Sequence, residues 1–167
     1  MKNNPQNSPP QPVLRYLQNF LNGTVSAKDA EDAAHMRYPT AISRTLGMRI
    51  VEVGAGMAAV EIDADPEKHG NQQGTVHGGL LCELADAAIG TAHSTLMREG
   101  ETFTTLELKV NFFRPSWKTR LRATASPLHG GNTVSHYQCA IVREDGKTAA
   151  AAFSTVMTLR GEQARGR

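Results

Sequence analysis

Cysteine is scarce in this sequence, and so are aromatic residues, long apolar runs and any excess of one charge. The two cysteines, Cys82 and Cys139, lack CxxC spacing and lie among apolar neighbours, which fits reduced packing residues and argues against a disulfide framework. The six histidines show no His and Cys spacing of the kind that holds zinc, so no metal is expected. Eighteen Lys and Arg stand against 16 Asp and Glu, and a net charge of +2 with only 5% aromatic residues gives neither the field nor the stacking platforms of a nucleic-acid binder. No run approaches the ~18 apolar residues of a membrane-spanning helix. The opening MKNNPQNSPPQP has no apolar core of a leader segment, so a cytoplasmic protein is expected, without nucleic-acid or membrane partners. What is present is ordinary for a globular chain, 40% hydrophobic and 20% charged residues in a length that suits one sizeable core.

Residues 1–12 carry four of the eight prolines among Asn, Gln and Ser, a composition that cannot bury a core and reads as a flexible tail. Val13, Leu14, Leu17, Phe20 and Leu21 then fall on one stripe at helical spacing, with Asn22-Gly23 as a stop. A second helix is expected to begin at Ser26, a good N-cap, and to run until just before Pro39. From Leu46 the hydrophobic period shifts to two. GMRIVEV and MAAVEIDA read as a hairpin, and TFTTLELKVNFF, TRLRATASPL, TVSHYQCAIVRE and TAAAAFSTVMTL as four more strands separated by turn residues. Between the two groups, the segment from Gly79 to about Leu96 is apolar on nearly every side and thinned by Ala85, Ala87, Ala88 and Gly90, as a helix buried under a sheet requires. The expected class is α+β, an antiparallel β-sheet wrapped around a long central helix, with an N-terminal helical extension.

The junction NQQGTVHGGLLCELAD raises the chemical question. A helix that starts at Gly78 or Gly79 presents unpartnered N–H groups and the positive end of its dipole, and without Cβ atoms there another molecule can come close. Such a place suits a developing oxyanion, as in acyl transfer. Asp86, buried in the same apolar run, lies roughly 12 Å further along the axis and cannot reach an oxygen held at its own helix start. A two-fold dimer with neighbouring antiparallel helices would bring each Asp86 to the partner's Gly78. Each feature alone also has a structural reading, as a turn or as a carboxylate satisfied by an amide or hydroxyl.

Asn71-x-x-Gly74-x-x-His77-Gly78-Gly79, then Asp86, then Thr105-Leu-Glu-Leu-Lys-Val-Asn-Phe-Phe-Arg-Pro, resembles the hotdog-fold acyl-CoA thioesterases of the phenylacetate-degradation type over roughly residues 44–160. The flexible tail (1–12) and the N-terminal helical extension (13–43) lie outside it, and residues 161–167 are expected to form a second flexible tail; the resemblance itself implies a hotdog thioesterase domain over 44–160. It implies that the Gly78 amide polarises a thioester carbonyl, with Gly79 beside it at the substrate. Asp86 of the partner subunit would act as general base on water or as nucleophile. Asn71 would contact the thioester or the lytic water, His77 would order the loop or also touch the carbonyl, and Thr105 would hold the water near the carboxylate. Some relatives use a Thr one turn after the acid; here that position is Gly90. The implied substrate is an aryl- or alkyl-CoA thioester, the implied assembly a homodimer or homotetramer, and coenzyme A enters only as part of the substrate, with no cofactor. Hotdog acyl-thioester hydratases or dehydratases, and a non-catalytic acyl-CoA binding module, are the alternatives.

Other residues carry weaker signals. Arg114 and Lys118, in RPSWKTRLRA, could meet the phosphates of coenzyme A or simply belong to a solvated strand face. Glu83, three residues before Asp86, is expected to pair with a cation or cap a local network. His93 reads as a packing or surface histidine, and Cys82 as core rather than as a nucleophile working with His77.

Overall fold

A computed structural model of the chain describes residues 11–165. Residues 1–10 of the expected N-terminal tail and residues 166–167 of the C-terminal one lie outside that range, and Gly161–Ala164 close the described chain as a 3-10 turn.

Helix α1 (Pro12–Asn22) starts on a proline, as the first helical position allows, and ends at Gly23 in the left-handed conformation with φ 70°. Its stripe buries Val13 and Leu17 completely. Helix α2 (Ala27–Asp32) opens on a Ser26/Asp29 capping box but stops far short of Pro39, which corrects the longer helix expected there. Its alanines and charges offer too little apolar area to hold further turns. What fixes it is the Asp29 carboxylate, which accepts from Arg15, Asn19 and Ser26. Helix α3 (Ala41–Leu46) was not expected, although its signals are ordinary ones: a Thr40 hydroxyl that accepts from the Ser43 N–H, and Gly47 as stop.

Strands β1 (Arg49–Gly54) and β2 (Met57–Ala64) form the expected hairpin, followed by the single turn α4 (Pro66–His69) and the central helix α5 (Gly78–Ser94). Strands β3 (Thr102–Phe112), β4 (Thr119–Gly130), β5 (Val134–Arg143) and β6 (Thr148–Leu159) complete one antiparallel sheet in the order β1-β2-β4-β5-β6-β3. The chain therefore leaves β2, passes through α5, enters the sheet at its far edge as β3 and only then returns to place β4 beside β2.

One side of α5 presents Leu80, Leu84, Ala85, Ala88, Ile89 and Ala92 to the concave face of the sheet. They meet small residues, among them Ala123, Ala125, Ala150 and Ala152, so helix and sheet approach closely. Full burial of a side chain such as Leu84 contributes about 1.5–3 kcal/mol. His93 belongs to this core, as the sequence suggested: its ring nitrogens lie 3.1 Å from the Tyr137 hydroxyl and 3.0 Å from that of Thr158. Burial lowers its pKa to about 4. At the sheet edges, α1 packs against β1, whereas β3 is hydrogen-bonded on one side only and carries the exposed Leu106 and Phe112. Among the described residues no helix is long and apolar enough to cross a membrane.

Candidate active site

The face of α5 turned from the sheet holds Glu83, Asp86, Ala87 and Gly90, all half-buried. The half-buried Thr105 on β3 donates its hydroxyl to Asp86 Oδ1 at 3.0 Å. Phe103 and Thr105 are two residues apart on a strand and so point to the same side, into one cavity with Asp86. That cavity has a volume of about 490 Å³. Glu83 lines it too, and among the described residues it has neither the cation nor the network expected of it. Burial, and then the charge of Asp86, raise its pKa.

The helix start is built separately. His77 is the N-cap of α5, and its Nδ1 accepts the Gly79 N–H at 2.8 Å. A Cβ on Gly79 would lie 2.9 Å from that nitrogen, so the close cap requires glycine. Gly78 is the first helical residue, and no acceptor among the described residues takes its N–H. The Phe112 ring lies 3.3 Å from where a Cβ would stand, close enough to wall the backbone. Gly78, Asn71, Arg114 and Ser116 line a second cavity of about 320 Å³. Asn71 serves its own loop, its Oδ1 accepting from the Gln73 and Thr75 amides while its Nδ2 donates to Thr75 Oγ1. Ser116 is buried, and its hydroxyl has no partner among the described residues.

Within one chain, then, Asp86 joins Thr105, and Asn71 joins Gly78 and Arg114, but the two groups open into different cavities. His77 and Gly79 border a third hollow with Glu83. Lys118 stands apart beside Trp117 and Arg143, exposed and paired with Asp65 at 2.9 Å. Arg114 donates to the Thr148 carbonyl at 2.8 Å and keeps the rest of its guanidinium at the surface. Thr91, next to Gly90, lines the Asp86 cavity and donates its hydroxyl to the Ala87 carbonyl at 2.7 Å. Burial raises the pKa of the Cys82 thiol, which disfavours it as a nucleophile. No group of three His, Cys, Asp or Glu side chains among the described residues is arranged to hold a metal ion. Sequence reasoning missed Phe103 and the Tyr38–Ser43 segment as cavity walls. The alternation of TFTT was the available signal for the first; nothing local announced the second.

An antiparallel sheet folded over one long helix, with a glycine-started helix and a carboxylate on its outer face, defines the hotdog class of thioester hydrolases. The comparisons agree. Residues 73–150 match the thioesterase superfamily. The chain is 30% identical to the 1,4-dihydroxy-2-naphthoyl-CoA hydrolase of Listeria monocytogenes, over 64% of this chain and 85% of that protein. It is 28% identical to the medium/long-chain acyl-CoA thioesterase YigI of Salmonella typhimurium, over 72% of this chain and 86% of that one. The PaaI protein from the phenylacetic acid degradation operon of Escherichia coli superimposes with a TM-score of 0.71 at 27% identity, covering 78% of this chain and 93% of that structure. The chain belongs to the thioesterase superfamily, and it is an enzyme of the thioester hydrolase class.

Proposed function

We propose that this chain is an acyl-CoA thioesterase whose active site is completed by a second copy of itself. The observation that carries the reading is the Thr105–Asp86 hydrogen bond at the wall of an apolar cavity, set apart from the free Gly78 amide at the start of the same helix. Asp86 lies eight residues beyond Gly78, roughly 12 Å along α5, so both cannot act on one carbonyl from the same chain. Antiparallel pairing of two open β3 edges about a two-fold axis would set one copy's Asp86 against the other's helix start, and it would cover Leu106 and Phe112. A homodimer is sufficient for this; a homotetramer would pack two of them.

In the proposed reaction Asp86 either takes a proton from water as the water attacks the thioester carbon, or attacks that carbon itself. Thr105 holds the carboxylate in place. Negative charge developing on the carbonyl oxygen is met by the Gly78 N–H and the helix dipole. The carbon–sulfur bond then breaks and the thiolate of coenzyme A leaves and takes up a proton. When water was the attacking group the free acid is released at once; when Asp86 attacked, water then hydrolyses the acyl–Asp86 anhydride to release the acid and restore the carboxylate. His77 and Gly79 hold the loop and the helix start in shape, and Asn71 fixes the turn that precedes them. Arg114, which lines the Gly78 cavity, would meet coenzyme A phosphates, and Lys118 would have to exchange Asp65 for them. Coenzyme A enters only as part of the substrate, and no cofactor or metal is called for. The two named relatives act on medium/long-chain and on aryl thioesters, so both acyl classes belong in the first panel. The competing hydratase chemistry needs a histidine paired with an acid, and the commitment of His77 Nδ1 to the Gly79 N–H favours hydrolysis.

The test is release of free thiol from aryl- and alkyl-CoA thioesters by wild type and Asp86→Asn, with hydration of an enoyl thioester measured alongside. Loss of at least ~100-fold in the variant, on the scale of a positioned acid–base group, supports the reading. Slow turnover that Asp86→Asn leaves unchanged would make this a binding module instead.

A further inference from the structure

The Asp86 cavity has a roof that comes from outside the region matched to the superfamily, which begins at residue 73. Phe20 at the end of α1 and the segment from Tyr38 to Ser43 close the cavity over the outer face of α5. That segment is anchored, since the Tyr38 hydroxyl lies 2.7 Å from Ser94 Oγ near the end of α5. The polar atoms of the roof are also occupied among themselves. Thr40 Oγ1 and Ser43 Oγ are 2.7 Å apart, and the Ser43 N–H donates to that Thr40 oxygen at 3.2 Å.

Most of what remains to face the cavity is hydrocarbon; the charged exceptions are Arg49, which pairs with Asp63, and the carboxylates of Glu83 and Asp86. Phe20 and Ile42 come from the roof, Met48 and Ile50 from the hairpin side, Phe103 from β3 and Ala87 from the helix. Phe20 and Ile42 stay 39% and 45% exposed, so part of each apolar surface is available to a guest. The polar end of the chamber is the Asp86–Thr105 pair with Glu83 beside it. A volume of about 490 Å³ far exceeds an acetyl group: at about 30 Å³ for a water-sized group it has room for on the order of ten or more heavy atoms.

We infer that the N-terminal extension is the specificity wall of this enzyme, with Phe20 and Ile42 roofing a chamber that takes the acyl part of a medium-length or aryl thioester and limits its length. The inference rests on the thioesterase reading. Ile42 sets the ceiling and Gly90 the floor, the latter because a Cβ there would already stand 3.5 Å from the Phe103 ring, so any larger side chain must extend into the cavity.

The experiment is kcat/KM for a ladder of straight-chain acyl-CoA thioesters from acetyl to tetradecanoyl, measured with wild type, Ile42→Trp and Gly90→Leu. Ile42 is partly exposed, so a larger side chain is tolerated there, and leucine is a better helix former than the glycine it replaces. Wild type is expected to prefer chains well beyond acetyl. Each variant is expected to lower the dodecanoyl-to-butanoyl ratio of kcat/KM by at least ~10-fold, the scale of excluding one or two methylenes from an apolar pocket. A ratio within about twofold of wild type in both variants, on that same scale, overturns the inference and leaves the thioesterase reading standing. A wild type that cleaves no member of the ladder and no aryl thioester overturns the reading, and the inference with it.

Discussion

Replacing Thr105 with valine keeps the shape of the side chain on β3 and removes the hydroxyl that, among the described residues, donates to Asp86 at 3.0 Å. A hydrogen bond to a charged group contributes about 1.5–3 kcal/mol, and because both residues are only half-buried the lower figure applies. If the bond serves to hold Asp86 against the reacting carbon, about 1.5 kcal/mol is lost from the transition state, or roughly tenfold in rate. The assay is steady-state thiol release with the best acyl-CoA substrate. The expected result is a roughly tenfold fall in kcat with KM changed much less, because the acyl chamber and the Gly78 amide are untouched. Thr105→Ser, which keeps the hydroxyl, is expected to recover most of the loss, an outcome a purely structural strand residue would not give. Wild-type kcat in Thr105→Val, or a serine variant no better than valine, would refute the assignment.

Three further outcomes follow from the same geometry. His77→Ala removes the acceptor of the Gly79 N–H and is expected to lower stability by about 1 kcal/mol, or roughly 2–4 °C in the melting midpoint, whereas His77→Asn retains a capping oxygen and most of the stability; equal midpoints for the two variants would contradict the cap. His93 has a folded pKa lowered to about 4, so it is neutral in the fold: its stabilising contribution is complete above its ordinary value of 6.5 and is lost as pH falls from there toward 4. Thermal melts across that range are expected to decline for wild type on the order of 3 kcal/mol more than for His93→Gln, and parallel declines would exclude His93 as the cause. Glu83 has its pKa raised, by burial and then by Asp86, so its charge costs stability above the folded pKa and the cost is relieved as pH falls. Glu83→Gln is therefore expected to melt higher than wild type at neutral pH, with the gap closing in acid; a constant gap would point to packing instead.

The elements of this protein were legible where one local rule governed them. All six strands and the central helix were marked by period-two or fully apolar runs between turn residues, and α1 by its stripe and its Asn22-Gly23 stop. Helix α2 was overextended, because a capping signal starts a helix but only burial sustains one, and α3 was overlooked because six residues are too few to show a period. Glu83 was expected to find a cation, and three residues of spacing could not reveal that Arg49, which lines the same cavity, would pair with Asp63 instead.

The sequence by itself determined the parts of the chemistry that depend on near neighbours: a glycine-started helix, the His77 cap two residues from its amide, and a carboxylate on the apolar helix eight residues on. Tertiary structure alone decided what those parts meet. The crossover through α5 sends β3 to the far edge of the sheet, which brings Thr105 to Asp86 and leaves one edge open for a partner. The folding-back of residues 38–43, tied to α5 through Tyr38 and Ser94, turns an exposed helix face into a chamber. Contacts of this kind join residues far apart in the chain, and their free energy depends on surfaces that exist only once the sheet and helix have come together, so no local pattern can carry them.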